Sequence, residues 1–152
     1  MSEICRVALF GHRNVDNIYL IEERLNPIIK NIIRTNTYVE FYIGRSGEFD
    51  ELSASVIKRV QNEVGKDNNE LILVLPYIVK DIEYYKKYYD SIIIPIKSHF
   101  KSAITKRNEW MVDNSEIVIG FVERNVGGAY SALKHAEKLN KTIINLANQA
   151  VD

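Results

Sequence analysis

The chain has 152 residues, of which 46% are hydrophobic and 26% charged, and its 20 basic side chains balance its 20 acidic ones. A chain of this length and composition folds as one domain around a single core, which excludes a disordered protein. The zero net charge disfavours a nucleic-acid partner, because phosphate neutralisation usually requires a basic excess.

The sequence carries no sign of export or membrane insertion. Its single cysteine, Cys5, excludes an intrachain disulfide and a thiolate metal cluster. The N-terminus has no basic region followed by a long apolar stretch, and no segment approaches the roughly 18 apolar residues that a membrane span needs. We therefore expect a soluble, cytoplasmic protein without a membrane partner.

Strand-like and helix-like apolar runs alternate from one end of the chain to the other. The strand pattern predicts strands at residues 6–10, 38–43, 71–75, 91–96, 116–122 and 142–146. Apolar residues at helical spacing predict helices at residues 16–34, 52–64, 98–114 and 130–139. This alternation is typical of a parallel sheet with helices on both faces. The sequence therefore predicts a single α/β domain over residues 1–152, a Rossmann-like three-layer sandwich with a mostly parallel sheet.

Three glycine-bearing segments fall where ligands collect in open parallel sheets, at the carboxyl ends of the strands. They are Gly11-His12-Arg13 after the first strand, Gly44-Arg45-Ser46-Gly47 after the second, and Gly127-Gly128-Ala129 before the last helix. Glycine permits positive φ and close approach of the backbone to a phosphate, so the three segments together predict a cradle for an anionic ligand. The alternative is that each glycine only turns the chain.

Arginines near these segments are the candidate phosphate contacts, because guanidinium forms charge-assisted bidentate bonds with oxyanions. They are Arg13, Arg45 and Arg107. Asn108 and Asp113 either bind the ligand or brace the helix before the fifth strand. Trp110 either covers a base or packs in the core.

The sequence indicates no metal and no cofactor. A G-x-G-x-x-G fingerprint is absent after the first strand, which argues against hydride transfer with a dinucleotide. His99 and His135 have no partner at the spacing of a metal site. His12 lies in the first glycine loop, where it donates to a phosphate or stacks on the ligand.

The most unusual composition is a run of tyrosines interleaved with lysines at residues 84–89. The i, i+4 spacing places Tyr84 over Tyr88 and Tyr85 over Tyr89, which predicts an amphipathic helix that packs on the third strand or on a second subunit. The alternative is that these rings stack on nucleic-acid bases.

Four separated motifs resemble the SLOG superfamily in their order and spacing, most of all its small YpsA-like members. They are residues 7–13 (VALFGHR), 44–50 (GRSGEFD), 107–113 (RNEWMVD) and 127–129 (GGA). The resemblance implies a Rossmann-like fold that binds nucleotides or nucleotide-derived signals, frequently as a homo-oligomer.

One branch of this superfamily, the lysine-decarboxylase-like phosphoribohydrolases, releases a base from a nucleoside monophosphate. Arg107, Met111 and the glycine pair at 127–128 match its signature, but Lys134 stands where the signature has its catalytic glutamate. The chain also differs from this signature at Val126, Tyr130 and Ser131. A lysine repels the oxocarbenium-like sugar that a carboxylate stabilises, so we expect binding without efficient hydrolysis. Carboxylates available as substitutes are Glu48, Asp50, Glu51 and Glu123.

A second branch, the DNA-processing proteins, is matched more loosely in the first two motifs. The predicted function is therefore binding of a nucleotide or nucleotide-derived ligand. A nucleoside 5′-monophosphate hydrolase and a single-stranded nucleic-acid binder are the alternatives. No catalytic residue is assigned, and the predicted ligand-binding residues are Gly11, His12, Arg13, Gly44, Arg45, Ser46, Gly47, Asp50, Arg107, Asn108, Gly127, Gly128 and Ala129.

Overall fold

Strands and helices alternate along the part of the chain that the structure describes. The structure, a computed structural model, describes residues 4–95 and 100–148. The strands are β1 (Ile4–Gly11), β2 (Tyr38–Ile43), β3 (Asn69–Val74), β4 (Ser91–Ile93), β5 (Ile117–Phe121) and β6 (Thr142–Asn145). The helices are α1 (Ile18–Thr35), α2 (Glu48–Val64), α3 (Ile82–Tyr88), α4 (Phe100–Asp113) and α5 (Gly128–Lys138), and a 3₁₀ turn at Leu146–Asn148 follows β6.

The six strands form one parallel sheet in the order β4-β3-β2-β1-β5-β6. One of the two central strands is β1, where Val7 pairs with Phe41 of β2 on one side and with Ile117 of β5 on the other. The chain therefore builds outward from β1 in one direction through β2 and in the other through β5. Sheets of this kind bind ligands in the crevice at the carboxyl ends of the strands where the order reverses.

The two faces of the sheet are covered by different helices. Val7 and Leu9 of β1 belong to one apolar cluster with α1 and α2, whereas Ala8 and Phe10 belong to a second cluster with α4 and α5. Alternate residues of a strand point to opposite faces, so a strand that is apolar at every position is buried on both. The predicted Rossmann-like three-layer sandwich is confirmed, with a sheet that is parallel throughout.

Polar and glycine residues set the ends of the first two helices. The side chain of Asn17 accepts a hydrogen bond from the N–H of Leu20 (3.1 Å) and caps α1, which begins two residues after the predicted start. Pro27 lies inside α1, which continues to Thr35. α2 begins four residues before the apolar repeat on which its prediction rested, and it ends at Gly65, whose φ of 96° is in the left-handed region.

One further difference concerns the middle of the chain. β4 ends at Ile93, before the predicted end of that strand, and residues 96–99, where the predicted strand ends and the next predicted helix begins, lie outside the described residues. The tyrosine run forms α3, as its spacing predicts. Within residues 4–95 and 100–148, no helix is both long enough and apolar enough to cross a membrane.

Candidate ligand-binding site

A cavity of about 390 Å³ opens where the loops after β1, β2 and β5 meet α4. This is the point at which the strand order reverses. The predicted site residues that line it are Gly11, His12, Arg13, Gly44, Ser46, Asp50, Arg107, Asn108, Gly127, Gly128 and Ala129. The topology thus brings together three glycine segments that are far apart in the sequence.

In two of the glycine segments, close packing against other residues requires a glycine. A Cβ on Gly11 would lie 2.1 Å from Cγ of Phe49, and a Cβ on Gly47 would lie 2.5 Å from Cα of Arg13. The second approach joins two loops, because the N–H of Glu48 donates to the carbonyl of Arg13 at 2.8 Å. These glycines are needed for protein packing, so their presence does not by itself indicate a ligand.

The third glycine segment faces open space. Gly127 has a φ of 98°, and apart from its two chain neighbours no described residue has an atom within 4 Å of the position that a Cβ would take. At Gly128, the first residue of α5, the nearest atom to such a Cβ is Nδ2 of Asn108 at 3.5 Å. The N–H groups in the first turn of a helix have no acceptor within the helix. This end of α5 therefore offers backbone donors and the positive end of the helix dipole to an anion.

Arg107 lines the cavity, and its side chain is buried, with an exposed fraction of only 3%. Its guanidinium donates hydrogen bonds to the carbonyl of Val74 (2.8 Å), the side-chain oxygen of Asn108 (2.8 Å) and the hydroxyl of Ser46 (3.2 Å). Burial lowers the pKa of Arg107, and the nearby carboxylate of Asp50 partly offsets that effect. Arg107 therefore joins β3, the β2–α2 loop and α4 through contacts within the protein.

Asp50 supplies the carboxylate in the cavity lining and is 8% exposed. Its Oδ2 accepts a hydrogen bond from the N–H of Ser46 (2.8 Å). Burial raises the pKa of Asp50 to about 6, although the Ser46 N–H and the charge of Arg107 act in the opposite direction. Of the four carboxylates considered as substitutes for a catalytic glutamate, Asp50 is the one that lines the cavity, and Lys134 does not line it.

Two predicted ligand contacts lie outside the cavity lining. Gly47 is at the crossing of the two loops, as described above. The guanidinium of Arg45 lies 4.8 Å above the ring of Tyr85 and donates to the hydroxyl of Tyr89 (3.3 Å). Arg45 therefore points towards α3 and away from the cavity.

Asp113 and Trp110 have protein partners that account for them. The carboxylate of Asp113 lies 2.8 Å from Nε2 of His135, which links α4 to α5. The rings of Trp110 and Tyr42 are 5.3 Å apart, and Trp110 packs against the apolar cluster between the sheet and α4. These contacts support the bracing role for Asp113 and the core role for Trp110.

Six residues of the cavity lining were not predicted as ligand contacts. They are Ile104, Met111, Arg124, Val126, Leu9 and Phe10. For Ile104 and Met111 the sequence contains a signal, since Ile104, Arg107, Asn108 and Met111 recur at the i, i+3, i+4, i+7 spacing of one helix face. Arg124 and Val126 lie in the loop after β5, where no such periodicity exists.

Comparisons with known proteins identify the fold. No protein-family model matches the chain, and no curated protein matches it. DNA processing protein A (DprA) from Streptococcus pneumoniae has a similar structure, with a TM-score of 0.66 and 12% identity over 92% of this chain and 49% of that chain. DNA processing protein A from Helicobacter pylori is also similar, with a TM-score of 0.61 and 14% identity over 91% of this chain and 63% of that chain.

The neighbours share the Rossmann-like fold, which is consistent with the resemblance to the SLOG superfamily, but this chain spans less than two thirds of either protein. They also correct one expectation. The Helicobacter pylori protein has a single-stranded DNA binding mode, so the inference from zero net charge that nucleic acid is disfavoured as a partner was wrong. Net charge averages over the whole surface, whereas binding of phosphate depends on local cations, and Arg13 and Arg124 both line this cavity.

Proposed function

We propose that the protein is a small SLOG-type module whose cavity binds a nucleotide unit through a phosphate group, without efficient hydrolysis. The observation that carries this proposal is the N-terminus of α5, where Gly127 and Gly128 line the cavity and leave space for a ligand. The exposed residues Arg13 and Arg124 also line the cavity. A phosphate at the end of α5 would meet backbone N–H groups, the helix dipole and nearby cations.

The remaining lining suits a sugar and a base. Ile104, Met111 and Val126 provide apolar surface, and Asn108 and Ser46 provide polar groups that orient a ligand. The volume lies within the range of roughly 300–1,000 Å³ that is usual for small-molecule sites. The cavity therefore matches a ligand with one charged end and one flat, mostly apolar end.

The arrangement of carboxylates supports binding over turnover. Cleavage of an N-glycosidic bond needs a carboxylate beside the developing oxocarbenium ion. Asp50 already accepts the N–H of Ser46 and lies near the charge of Arg107, and Lys134 is outside the lining. We therefore assign recognition of the nucleotide to this site.

A second candidate function is that the bound nucleotide belongs to a single strand of nucleic acid. The observation that favours it is the similarity in fold to DNA processing protein A. Salt separates the two candidates, because each phosphate contact to a single strand adds about 0.7 to the slope of log affinity against log salt concentration. A strand with several contacts therefore loses affinity much more steeply than a mononucleotide does.

A thermal-shift screen tests the proposal. The ligands are AMP, ADP-ribose, cyclic ADP-ribose, NAD, ATP and a deoxythymidine oligonucleotide. A ligand present at 100 times its Kd stabilises the protein by about 2.7 kcal/mol, which raises the Tm of a domain of this size by roughly 5–10 °C. Absence of a shift with every ligand contradicts both candidate functions.

Substitutions at Gly128 localise the binding. Gly128→Asp places a carboxylate where the phosphate is proposed to lie, and we expect it to abolish binding while the protein stays folded, since acidic residues stabilise a helix N-terminus. Gly128→Ala is the matched control, because its Cβ would make only an ordinary contact of 3.5 Å with Asn108. Unchanged affinity in a folded Gly128→Asp protein would overturn the proposal.

A further inference from the structure

A second, smaller recess lies on the far side of the β2–α2 loop from the central cavity. It has a volume of about 200 Å³. Its lining is mostly aromatic and consists of Arg45, Glu51, Ala54, Tyr84, Tyr85, Tyr88 and Tyr89. We call it the tyrosine recess.

One loop forms a wall of both spaces. Gly44 and Ser46 line the central cavity, whereas Arg45 between them lines the tyrosine recess. The first turn of α2 repeats this division, since Asp50 lines the cavity and Glu51 lines the recess. A chain molecule that leaves the central cavity over this loop would therefore enter the tyrosine recess.

Protein packing explains three of the four tyrosines. Tyr89 is 3% exposed, and Tyr85 and Tyr88 pack against the apolar core between the sheet, α1 and α2. Tyr84 is 64% exposed and contacts Tyr85 edge to face, with ring centroids 5.8 Å apart. Tyr84 therefore presents most of its ring to solvent at the edge of the recess.

Polar groups that can orient a planar ligand accompany this ring. Arg45 is held in place by the ring of Tyr85 and the hydroxyl of Tyr89, and its guanidinium lies 4.0 Å from the carboxylate of Glu51. The side chain of Glu51 is 61% exposed. A nucleobase has both kinds of complementary group, because its carbonyl oxygens accept from a guanidinium and its exocyclic amines donate to a carboxylate.

We propose that the tyrosine recess binds the base of a second nucleotide, covalently linked to the nucleotide in the central cavity, by stacking on Tyr84. The inference rests on the proposed function of the central cavity. The linking phosphodiester crosses the β2–α2 loop, where Arg45 supplies the nearest recess cation. The preferred ligand of the whole site is then a dinucleotide or a longer single strand, and a mononucleotide fills half of it.

The test compares three kinds of ligand on the 152-residue chain by calorimetry. They are dAMP, a 5′-phosphorylated deoxyadenosine dinucleotide, and the two forms of that dinucleotide that each lack one base. The abasic forms keep every phosphate, so the comparison isolates the second base. Stacking of one base on an aromatic ring predicts that the intact dinucleotide binds roughly 5- to 150-fold more tightly than the better abasic form.

Three variants assign this advantage to the recess. We expect Tyr84→Ala to remove the advantage of the intact dinucleotide, and Tyr84→Phe to keep it because the ring remains. Tyr19→Ala is a matched control, since Tyr19 is an exposed tyrosine on α1 that lines neither space. All three variants should bind dAMP as the wild type does.

The outcomes separate the two levels of the proposal. Binding of dAMP with no advantage for the dinucleotide, or an advantage that survives in Tyr84→Ala, overturns the recess and leaves the central cavity intact. Absence of binding by every ligand overturns both. Tyr84→Ala could instead have a lower molecular mass than the wild type in analytical ultracentrifugation and still bind the intact dinucleotide more tightly than the abasic forms. That result would make the recess a contact between copies of the chain and would overturn base binding.

Discussion

Nε2 of His12 accepts a hydrogen bond from the backbone N–H of Glu123 at 2.9 Å, and this bond ties the loop after β1 to the loop after β5. The N–H of Arg124 approaches the same atom at 3.3 Å. Both donors require Nε2 to be unprotonated, which places the ring proton on Nδ1. Burial lowers the pKa of His12, the charge of Arg124 adds to that effect, and the charge of Glu123 opposes it.

The free energy of unfolding should therefore decrease as the pH falls below the pKa of an ordinary histidine. Because the pKa of His12 is lower in the folded protein than in the unfolded chain, the contribution is complete above about pH 6.5 and is lost as the pH falls through the folded value. The His12→Gln variant keeps an acceptor that does not titrate in this range, so its Tm should depend less on pH. Tm measured in steps from pH 7.5 to pH 5 checks this, and identical pH profiles for variant and wild type would contradict it.

The contact between Gly11 and Phe49 predicts a large cost for a single methyl group. A Cβ at Gly11 would lie 2.1 Å from Cγ and 2.5 Å from Cβ of Phe49, which is fully buried. We expect Gly11→Ala to lower the free energy of unfolding by about 1–3 kcal/mol, as overpacked cores do. Urea denaturation measures the change, and Gly128→Ala, which meets only Asn108 at 3.5 Å, should change stability by less than about 0.5 kcal/mol.

A double-mutant cycle identifies the cause of this loss. Phe49→Ala removes the ring that the new methyl group would meet, so Gly11→Ala should cost less in that background than in the wild type. Additive effects of the two substitutions would show that the loss does not come from the ring of Phe49, and would leave its Cβ, 2.5 Å from the new methyl group, as the cause.

Arg107 should matter more for stability than for ligand contact. Removing its guanidinium leaves the carbonyl of Val74 and the oxygen of Asn108 without their donor and takes away a positive charge that stabilises ionised Asp50. We expect Arg107→Ala to lower the free energy of unfolding by about 2–4 kcal/mol, since hydrogen bonds from charged groups are worth about 1.5–3 kcal/mol each. Arg107→Lys keeps the charge but loses the forked geometry of the guanidinium. Its free energy of unfolding should therefore lie between those of the wild type and Arg107→Ala.

Urea denaturation of both variants, followed by ligand titration at a temperature where they are folded, separates the two roles. Unchanged stability of Arg107→Ala together with lost binding would mean that Arg107 contacts the ligand directly.

The hydrogen-bond partners of Arg107 could not be predicted from the sequence. Its type and position predict a phosphate contact, but its partners Val74 and Ser46 are 33 and 61 residues away in the sequence.

The fold itself was predictable because alternation of strand and helix patterns is a local property of the sequence. The meeting of three glycine segments at one edge followed from the rule that parallel strands end together. The reason for each glycine did not follow, because the packing of Gly11 on Phe49 depends on a helix that begins 37 residues later. Arg124 was missed for a similar reason, since a loop arginine carries no periodic signal and only the folded chain places it at the cavity.

Lys134 predicts a negative result that distinguishes this protein from the phosphoribohydrolases that it resembles. Its side chain is 52% exposed and lies near Glu137 (3.7 Å) and the ring of Tyr130 (5.8 Å), outside the cavity lining. Because this side chain contacts Glu137 and Tyr130 and does not line the cavity, a carboxylate in the same orientation would not reach a sugar bound there. The expected lack of hydrolysis therefore rests on this orientation and not on repulsion of the sugar by Lys134. We therefore expect Lys134→Glu, like the wild type, to release no adenine from AMP in a chromatographic assay, with Glu137→Gln as the matched surface control. Release of adenine by Lys134→Glu alone would show that this side chain reaches the ligand and that one substitution separates this site from catalysis.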